Sequence, residues 1–569
     1  MVSSPDSRTD TVTSRWGVVG WSIVIAAFAI GFWQFPLRTV GPTLDHLPGD
    51  LVDARLNNYI LEHGYRYLNG QDTTFWDVGM FYPTPRVVAY SDAHIGMLPV
   101  YASARAVGCT PERSFQIWFL VPFALNYASA ILACRRLNAT AFTAVVTAYF
   151  FAFGVNQVTS LTLHAQLGPR FFVPFALVLG REWLLRPSAG KLLALAACAI
   201  GQVYLTIYIG YFLAFVILLQ SLAVALLERR SVSWASILRA GSREWAFRIS
   251  IGILAVLALS PLALQYSRAS HDHFLPGPGD VRNTHPTPDS WLYSSRPSVH
   301  AAWTDEVFPP IDPMPDECEK QLFPGLVPIA ALLFGLFTFA TNSEFRRSYP
   351  AVAGATVLVG LAIVTNAFGA PPYEPILYLP GAGGIRSIAR IVHVLAFPWG
   401  LLVGTLLERL QLRVPRFRTA AVFLMLALLI ADQWLVSKDD PRAWSKFRFP
   451  SVQVEQRRER VVEVIRTHPS PRLVYSFPGE NDGEWFSLQV DAMAASQKLG
   501  IPTVNGWSGY PPWEWEYFAD CRSLIEWLKK RGANGEMLAG LVLIGELTPS
   551  NDEREIALRK KFLVRQLAR

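Results

Sequence analysis

The chain has 569 residues, 51% hydrophobic and only 17% charged, with a mean hydropathy of +0.26. That balance excludes an ordinary soluble globular protein, and apolar runs near the ~20 residues that a helix needs to cross ~30 Å of hydrocarbon exclude a barrel of short alternating strands. The net charge of +7 raises nucleic acid as a partner, but the arginines cluster between apolar runs, where they set topology, so no nucleic-acid role is read from them.

The polar stretch ahead of the first apolar run has the character of a cytosolic tail and not of a cleaved signal. Apolar runs follow at residues 16–36, 114–134, 139–158, 167–185, 190–207, 209–227, 246–265, 323–341, 350–368, 390–408 and 417–436, which predict about 11 transmembrane helices. With Met1 cytoplasmic, every second connection carries arginines: Arg135 and Arg136; Arg181 and Arg186; Arg229 and Arg230; Arg346 and Arg347; Arg409 and Arg413. The register requires that "AHIGMLPVYASARAVG", residues 93–108, lies in the outer interface without crossing. It then puts the loop 37–112, the turn near His164, the loop 267–322, the segment 369–390 and the tail after Lys438 on the extracytoplasmic side.

From about Asp439 the chain becomes charged and loses its long apolar runs. "RLVYSF" and "LVLIGEL" read as short buried strands, and Ser523–Arg531 as a helix. The predicted fold class is an all-α polytopic membrane bundle over residues 1–437 with a small soluble α/β domain over 438–569. The five cysteines form no visible disulfide framework.

The first outer loop opens with "LPGDLVDARLNNYILEHG". In a helix beginning near Asp50, the residues Asp50, Asp53 and Asn57 share one face. Paired carboxylates there suit either proton abstraction or a hard cation such as Mg²⁺ or Mn²⁺; the plain alternative is that Asp50 caps the helix and Asp53 favours its first turn. Further along, Asp92 and His94 in "SDAHIG" offer an oxygen and a nitrogen to a metal, or simply start a helix.

The order of one span, an acidic motif directly after it ("GDLVDARLNN"), an interfacial helix opened by "SDAHIG" and a many-span bundle with an outer C-terminal domain resembles the GT-C superfamily of membrane glycosyltransferases. That superfamily includes oligosaccharyltransferase catalytic subunits, protein O-mannosyltransferases and the lipid A aminoarabinose transferase. The resemblance implies a catalytic aspartate in the first outer loop, here Asp50 or Asp53, and a second acidic motif that helps hold a divalent metal, here Asp92 with His94. No WWDYG-like acceptor motif appears in the tail; the aromatic run "NGWSGYPPWEWEYF", Asn505 to Phe518, either stacks on sugar or forms core.

Other outer segments add candidates. His164 and Gln166 are costly to place against lipid and suit a polar cavity. The loop 267–322 carries His271, Asp272, His273 and Asp280, then Asp305, Glu306, Asp312 and Asp316, which read as a metal motif, a lid or a solvated loop. Tyr204, Tyr208 and Tyr211 read as an interfacial aromatic belt. In "LPGAGGIRSIAR" a helix beginning after Gly384 would stack Arg386 and Arg390 on one face, suited to a lipid phosphate, with headgroup anchoring or a salt bridge as alternatives. The expectation is an integral membrane glycosyltransferase of a bacterial inner membrane. It would take a sugar from a polyprenyl-phosphate donor to a glycan, lipid or protein acceptor on the extracytoplasmic face. A transporter or flippase of lipid-linked or small polar solutes is the competing reading, and a noncatalytic scaffold a third.

Overall fold

The computed structural model describes residues 16–273, 281, 283–308, 319–369, 371–378, 382–413, 415–436, 444, 447–477, 485–545, 554 and 557. Asp280, Asp312, Asp316, Lys438 and Asp439 lie outside them.

Each apolar run forms a helix, and the chain is an all-α polytopic membrane bundle. Among the described residues six helical stretches are long and apolar enough to cross a membrane: Val18–Val40, Pro111–Arg136, Ala141–Leu163, Ile207–Leu227, Ser242–Ala269 and Ile388–Gln411. The other five apolar helices, Val173–Leu185, Ala189–Leu205, Leu326–Thr341, Tyr349–Val364 and Arg418–Asp432, have 13 to 17 residues. At ~1.5 Å per residue these reach only ~20–26 Å, so they fall short of the hydrocarbon thickness when straight. The helix Leu98–Ala106 has nine residues, far too few to cross, as the charge register requires.

Close packing at the bundle centre depends on small residues. Gly400 and Gly404 bring the helix Val392–Gln411 against Ala141–Phe153, where added Cβ atoms would sit 2.9 Å from the Thr147 carbonyl oxygen and 2.8 Å from that of Thr143. Between membrane helices, where burying apolar surface gives little drive, this backbone approach supplies the packing.

The tail is α/β, as its alternating pattern predicts. Leu473–Ser476 pairs in parallel with Leu541–Ile544, flanked by the helices Ser451–Arg466, Trp485–Leu499 and Cys521–Lys530. It is built onto the first outer loop: Leu56, Tyr59 and Val87 share one hydrophobic core with Tyr475, Trp515 and Leu524. His46–Pro48 pairs antiparallel with Arg448–Pro450, and Arg55 meets Asp491 at 2.6 Å with both side chains 3% exposed. The outer loop thereby gains a rigid frame that its own residues do not supply.

Candidate functional site

The helix of the first outer loop runs from Asp53 to Leu68, so it begins three residues later than a start at Asp50 would require. Asp50 precedes it, and its Oδ1 accepts the backbone N–H groups of Val52 and Asp53 at 3.0 and 2.7 Å. Asp50 thus lies two residues ahead of the N-cap Val52, and its carboxylate satisfies donors that the first turn leaves open, as a capping side chain does. Burial raises its pKa against those hydrogen bonds. Only Asp53 and Asn57 share the helix face expected of all three.

Asp53 is where separate parts of the chain converge. Its Oδ1 accepts the Trp507 indole N–H at 2.6 Å, and its Oδ2 lies 3.4 Å from His164 Nδ1. On the other side of the ring, His164 Nε2 lies 3.5 Å from Glu319 Oε1. Glu319 in turn accepts from Arg390 Nε and Nη2 at 3.0 and 2.5 Å and from the Ser387 hydroxyl at 2.7 Å. The two imidazole separations exceed good hydrogen-bond lengths, so the ring sits between two carboxylates without closing on either.

Charges here are set by burial and by neighbours. Burial, then the Asp50 carboxylate, pushes Asp53 up to about 6, against the Trp507 N–H and the positive charges of Arg386 and Arg390. Burial and then Arg390 hold His164 down to about 3, so its imidazole is neutral near neutral pH. Burial alone would raise Glu319, but Arg390, His164 and the Ser387 hydroxyl together outweigh it and hold the carboxyl at about 2. The site therefore pairs a carboxylate poised near neutrality with one that stays charged. Asp53 keeps 34% of its side chain open, whereas Glu319 keeps 2%.

Asn57 does not face this opening. Its Nδ2 donates to the Asp53 carbonyl at 3.1 Å and to Gln166 Oε1 at 2.9 Å, while its Oδ1 faces His94 Nε2 at 3.0 Å. It ties the Asp53 helix to the turn that carries His164.

The arginines also separate. Arg386 lies between the short 3₁₀ turns Ala382–Gly384 and Ile388–Ile391 and not in a helix, because its N–H donates to the Tyr208 hydroxyl at 3.1 Å and its carbonyl accepts from Thr284 Oγ1 at 2.7 Å, bonds that a helical turn would have used internally. Arg390 follows in the short 3₁₀ turn Ile388–Ile391, so the two are not stacked along one helix. Arg390 is buried, paired with Glu319 and placed over the Tyr208 ring at 4.6 Å, which is the salt-bridge arrangement. The Arg386 guanidinium is half-buried and has no hydrogen-bond or ion-pair partner among the described residues. Glu319 and Tyr208 are site residues that sequence reasoning missed: one stood among many loop acids, the other in an apparent aromatic belt.

The residues proposed for a metal do not fit one. Asp92 accepts the backbone N–H of Ile207 at 2.9 Å through Oδ1 and the Thr206 hydroxyl at 3.1 Å through Oδ2, capping the helix Ile207–Leu227 from another segment. Burial raises Asp92 despite these bonds, and burial holds His94 down to about 3. His94 Nδ1 has no hydrogen-bond partner, but the cavity beside it and Asp92 measures about 10 Å³, room for about one water and not for a hydrated octahedral ion. Among the described residues no three His, Cys, Asp or Glu converge on a common point. His271, Asp272 and His273 do not converge either: Asp272 pairs with Arg86 at 2.6 Å, the His271 carbonyl accepts from Trp513, and the His273 ring lies against Tyr90. Asp305 and Glu306 are exposed on the helix Ala301–Val307.

No family model and no curated protein matches the sequence. Among solved structures, the chain is similar to the Archaeoglobus fulgidus oligosaccharyltransferase in its apo form, at 11% identity and a TM-score of 0.47 over 86% of this chain and 64% of that one. It is similar at 10% identity and a TM-score of 0.46 to the archaeal oligosaccharyltransferase AglB from Archaeoglobus fulgidus in complex with an inhibitory peptide and a dolichol-phosphate, over 86% of this chain and 64% of that one. It thus spans less than two thirds of the archaeal enzyme's length. The third likeness is to ArnT from Cupriavidus metallidurans in the apo state, at 14% identity and a TM-score of 0.32, covering 85% of this chain and 90% of that one.

Proposed function

We propose that this integral membrane protein transfers a sugar from a polyprenyl-phosphate donor to an acceptor at the extracytoplasmic face of a bacterial inner membrane, with the N-terminus cytoplasmic. One observation carries the reading: a half-open carboxylate, Asp53, meets His164, Glu319 and an unpaired Arg386 at one end of an apolar bundle. A donor anchored in lipid is best met at such an end, where polar groups sit only beside the phosphate and the sugar.

In the reaction a nucleophilic oxygen or nitrogen of the acceptor forms a bond to the anomeric carbon as the bond from that carbon to the phosphate oxygen breaks. The acceptor proton passes to Asp53 Oδ2, and polyprenyl phosphate leaves with the bonding electron pair. Among the described residues Arg386 is the guanidinium of the cluster without an acid, and it supplies charge-assisted donors to the leaving phosphate. Glu319, kept ionised by Arg390, lies across His164 and favours positive character near the sugar carbon. No step uses Asp92 or His94, and none needs a Mg²⁺ or Mn²⁺ ion.

The test is incubation of purified protein with a panel of radiolabelled polyprenyl-phosphate sugars and with glycan, lipid and peptide acceptors. Release or transfer of label by wild type and its loss in Asp53→Asn is the expected result. Equal turnover in Asp53→Asn would remove the base, and no release from any donor would favour transport.

A further inference from the structure

The hydrogen bond between Trp507 and Asp53 joins residues 454 apart in sequence. The tail holds this indole firmly. Asn505, two residues earlier, is fully buried; its Nδ2 donates to the Ser476 carbonyl at 2.9 Å and to Gln489 Oε1 at 2.6 Å, and its Oδ1 accepts from Ser476 N at 2.7 Å. Gly506 lies flat on Phe81 of the outer loop, where any Cβ would collide with the ring. Phe81 N in turn donates to the Asn505 carbonyl at 3.0 Å. The Trp507 ring then meets Phe486 edge-on at 5.0 Å.

An indole nitrogen only donates, so Trp507 neither gives nor takes the reacting proton, and its anchored backbone does not let it swing with substrate. We infer that Trp507 is a positioning residue: it occupies Oδ1 of Asp53, fixes the carboxylate rotamer and leaves Oδ2 as the single oxygen open to the acceptor. The C-terminal domain thereby completes the catalytic site. The same segment reaches the phosphate side, since a Cβ on Gly509 would lie 3.9 Å from Arg386 Nη1. This inference rests on Asp53 being the base.

The charged and titratable groups that face Asp53 are Asp50, His164, Arg386 and Arg390, with Glu319 beyond the His164 ring. A hydrogen bond to the ionised form lowers a carboxyl pKa, so its loss moves the acid limb of activity upward. Trp507→Phe keeps an aromatic ring against Phe486 and removes the N–H. The expected result is a fall in kcat of about tenfold or more and an acid limb displaced upward by about one pH unit, with acceptor KM changed far less and the melting temperature preserved.

A readout independent of turnover is the infrared band of the protonated Asp53 carboxyl, assigned by its disappearance in Asp53→Asn. That band should titrate at higher pH in Trp507→Phe. If Trp507→Phe does not fold, the sulfur isostere of tryptophan installed at 507 keeps the shape without the N–H and is expected to move the band in the same way. An unmoved band and unmoved limb, with Asp53→Asn inactive, would overturn the role of Trp507 and leave the base in place. Full turnover in Asp53→Asn would instead overturn the base, while the band shift still reports whether Trp507 holds the carboxylate.

Discussion

Asp50 and Asp53 are three residues apart and act oppositely. The folded pKa of Asp53, about 6, lies above the 3.8 of an unperturbed aspartate, so between these values the folded chain keeps a proton that the unfolded chain has lost. Its contribution to stability is therefore fully present at low pH and is lost as the pH rises through about 6, whereas its use as a base grows over the same rise. Turnover is expected to climb through an acid limb near 6, and Asp53→Asn is expected to abolish transfer with a melting temperature at neutral pH equal to or above that of wild type. Asp50→Ala removes a cap and is expected to cost about 1 kcal/mol in denaturant unfolding while transfer persists. Asp50→Asn removes a like charge beside Asp53 and should move the acid limb down; an unchanged limb would mean that the two carboxylates do not interact. The pair of carboxylates was legible in the sequence but their separate settings were not, because the helix begins three residues after Asp50, and that start decides which of them satisfies the first turn.

At the scale of elements, the eleven apolar helices were legible from hydropathy, and the strands at Leu473–Ser476 and Leu541–Ile544 from their compact apolar runs. The segment before Val392 was not, since cross-chain bonds to Tyr208 and Thr284 set its path and local spacing does not report them. Its two arginines should behave differently. Arg386→Ala is expected to raise the KM for the lipid-phosphate donor about tenfold, the equivalent of one charge-assisted contact, with Lys restoring it only in part. Arg390→Ala strands Glu319 as an unpaired buried charge, a loss of about 3–5 kcal/mol of stability. Adding Glu319→Gln should return much of that stability without returning activity. A double variant no more stable than Arg390→Ala alone would show that the pair does not act as a unit.

At the scale of the molecule, the tail does not hang from the bundle as a separate body. Composition marked where charge returns near residue 438, and it could not report that Leu473, Tyr475 and Trp515 share a core with Leu56, Tyr59 and Val87, since that core is assembled from segments about 400 residues apart. Asp53 sits on the helix that carries the loop's half of this core, and Trp507 belongs to the tail's half, so the site spans the joint. Removing residues 438–569 would expose Leu56, Tyr59, Ile60 and Val87 and would leave Arg55 buried beside no acid in place of Asp491. The bundle has its own core, built on helices such as Ala141–Phe153 and Val392–Gln411, and is expected to survive the truncation in detergent. The outer loop is expected not to. Limited proteolysis of the truncated protein should cut between residues 78 and 92, where Val78, Met80, Phe81, Val87 and Val88 are buried in the full chain, and turnover should be absent even though the transmembrane helices remain folded by circular dichroism. Protection of that stretch in the truncated protein would show that the loop folds alone, and the tail would then owe its place at the site to Trp507 and its neighbours and not to the shared core.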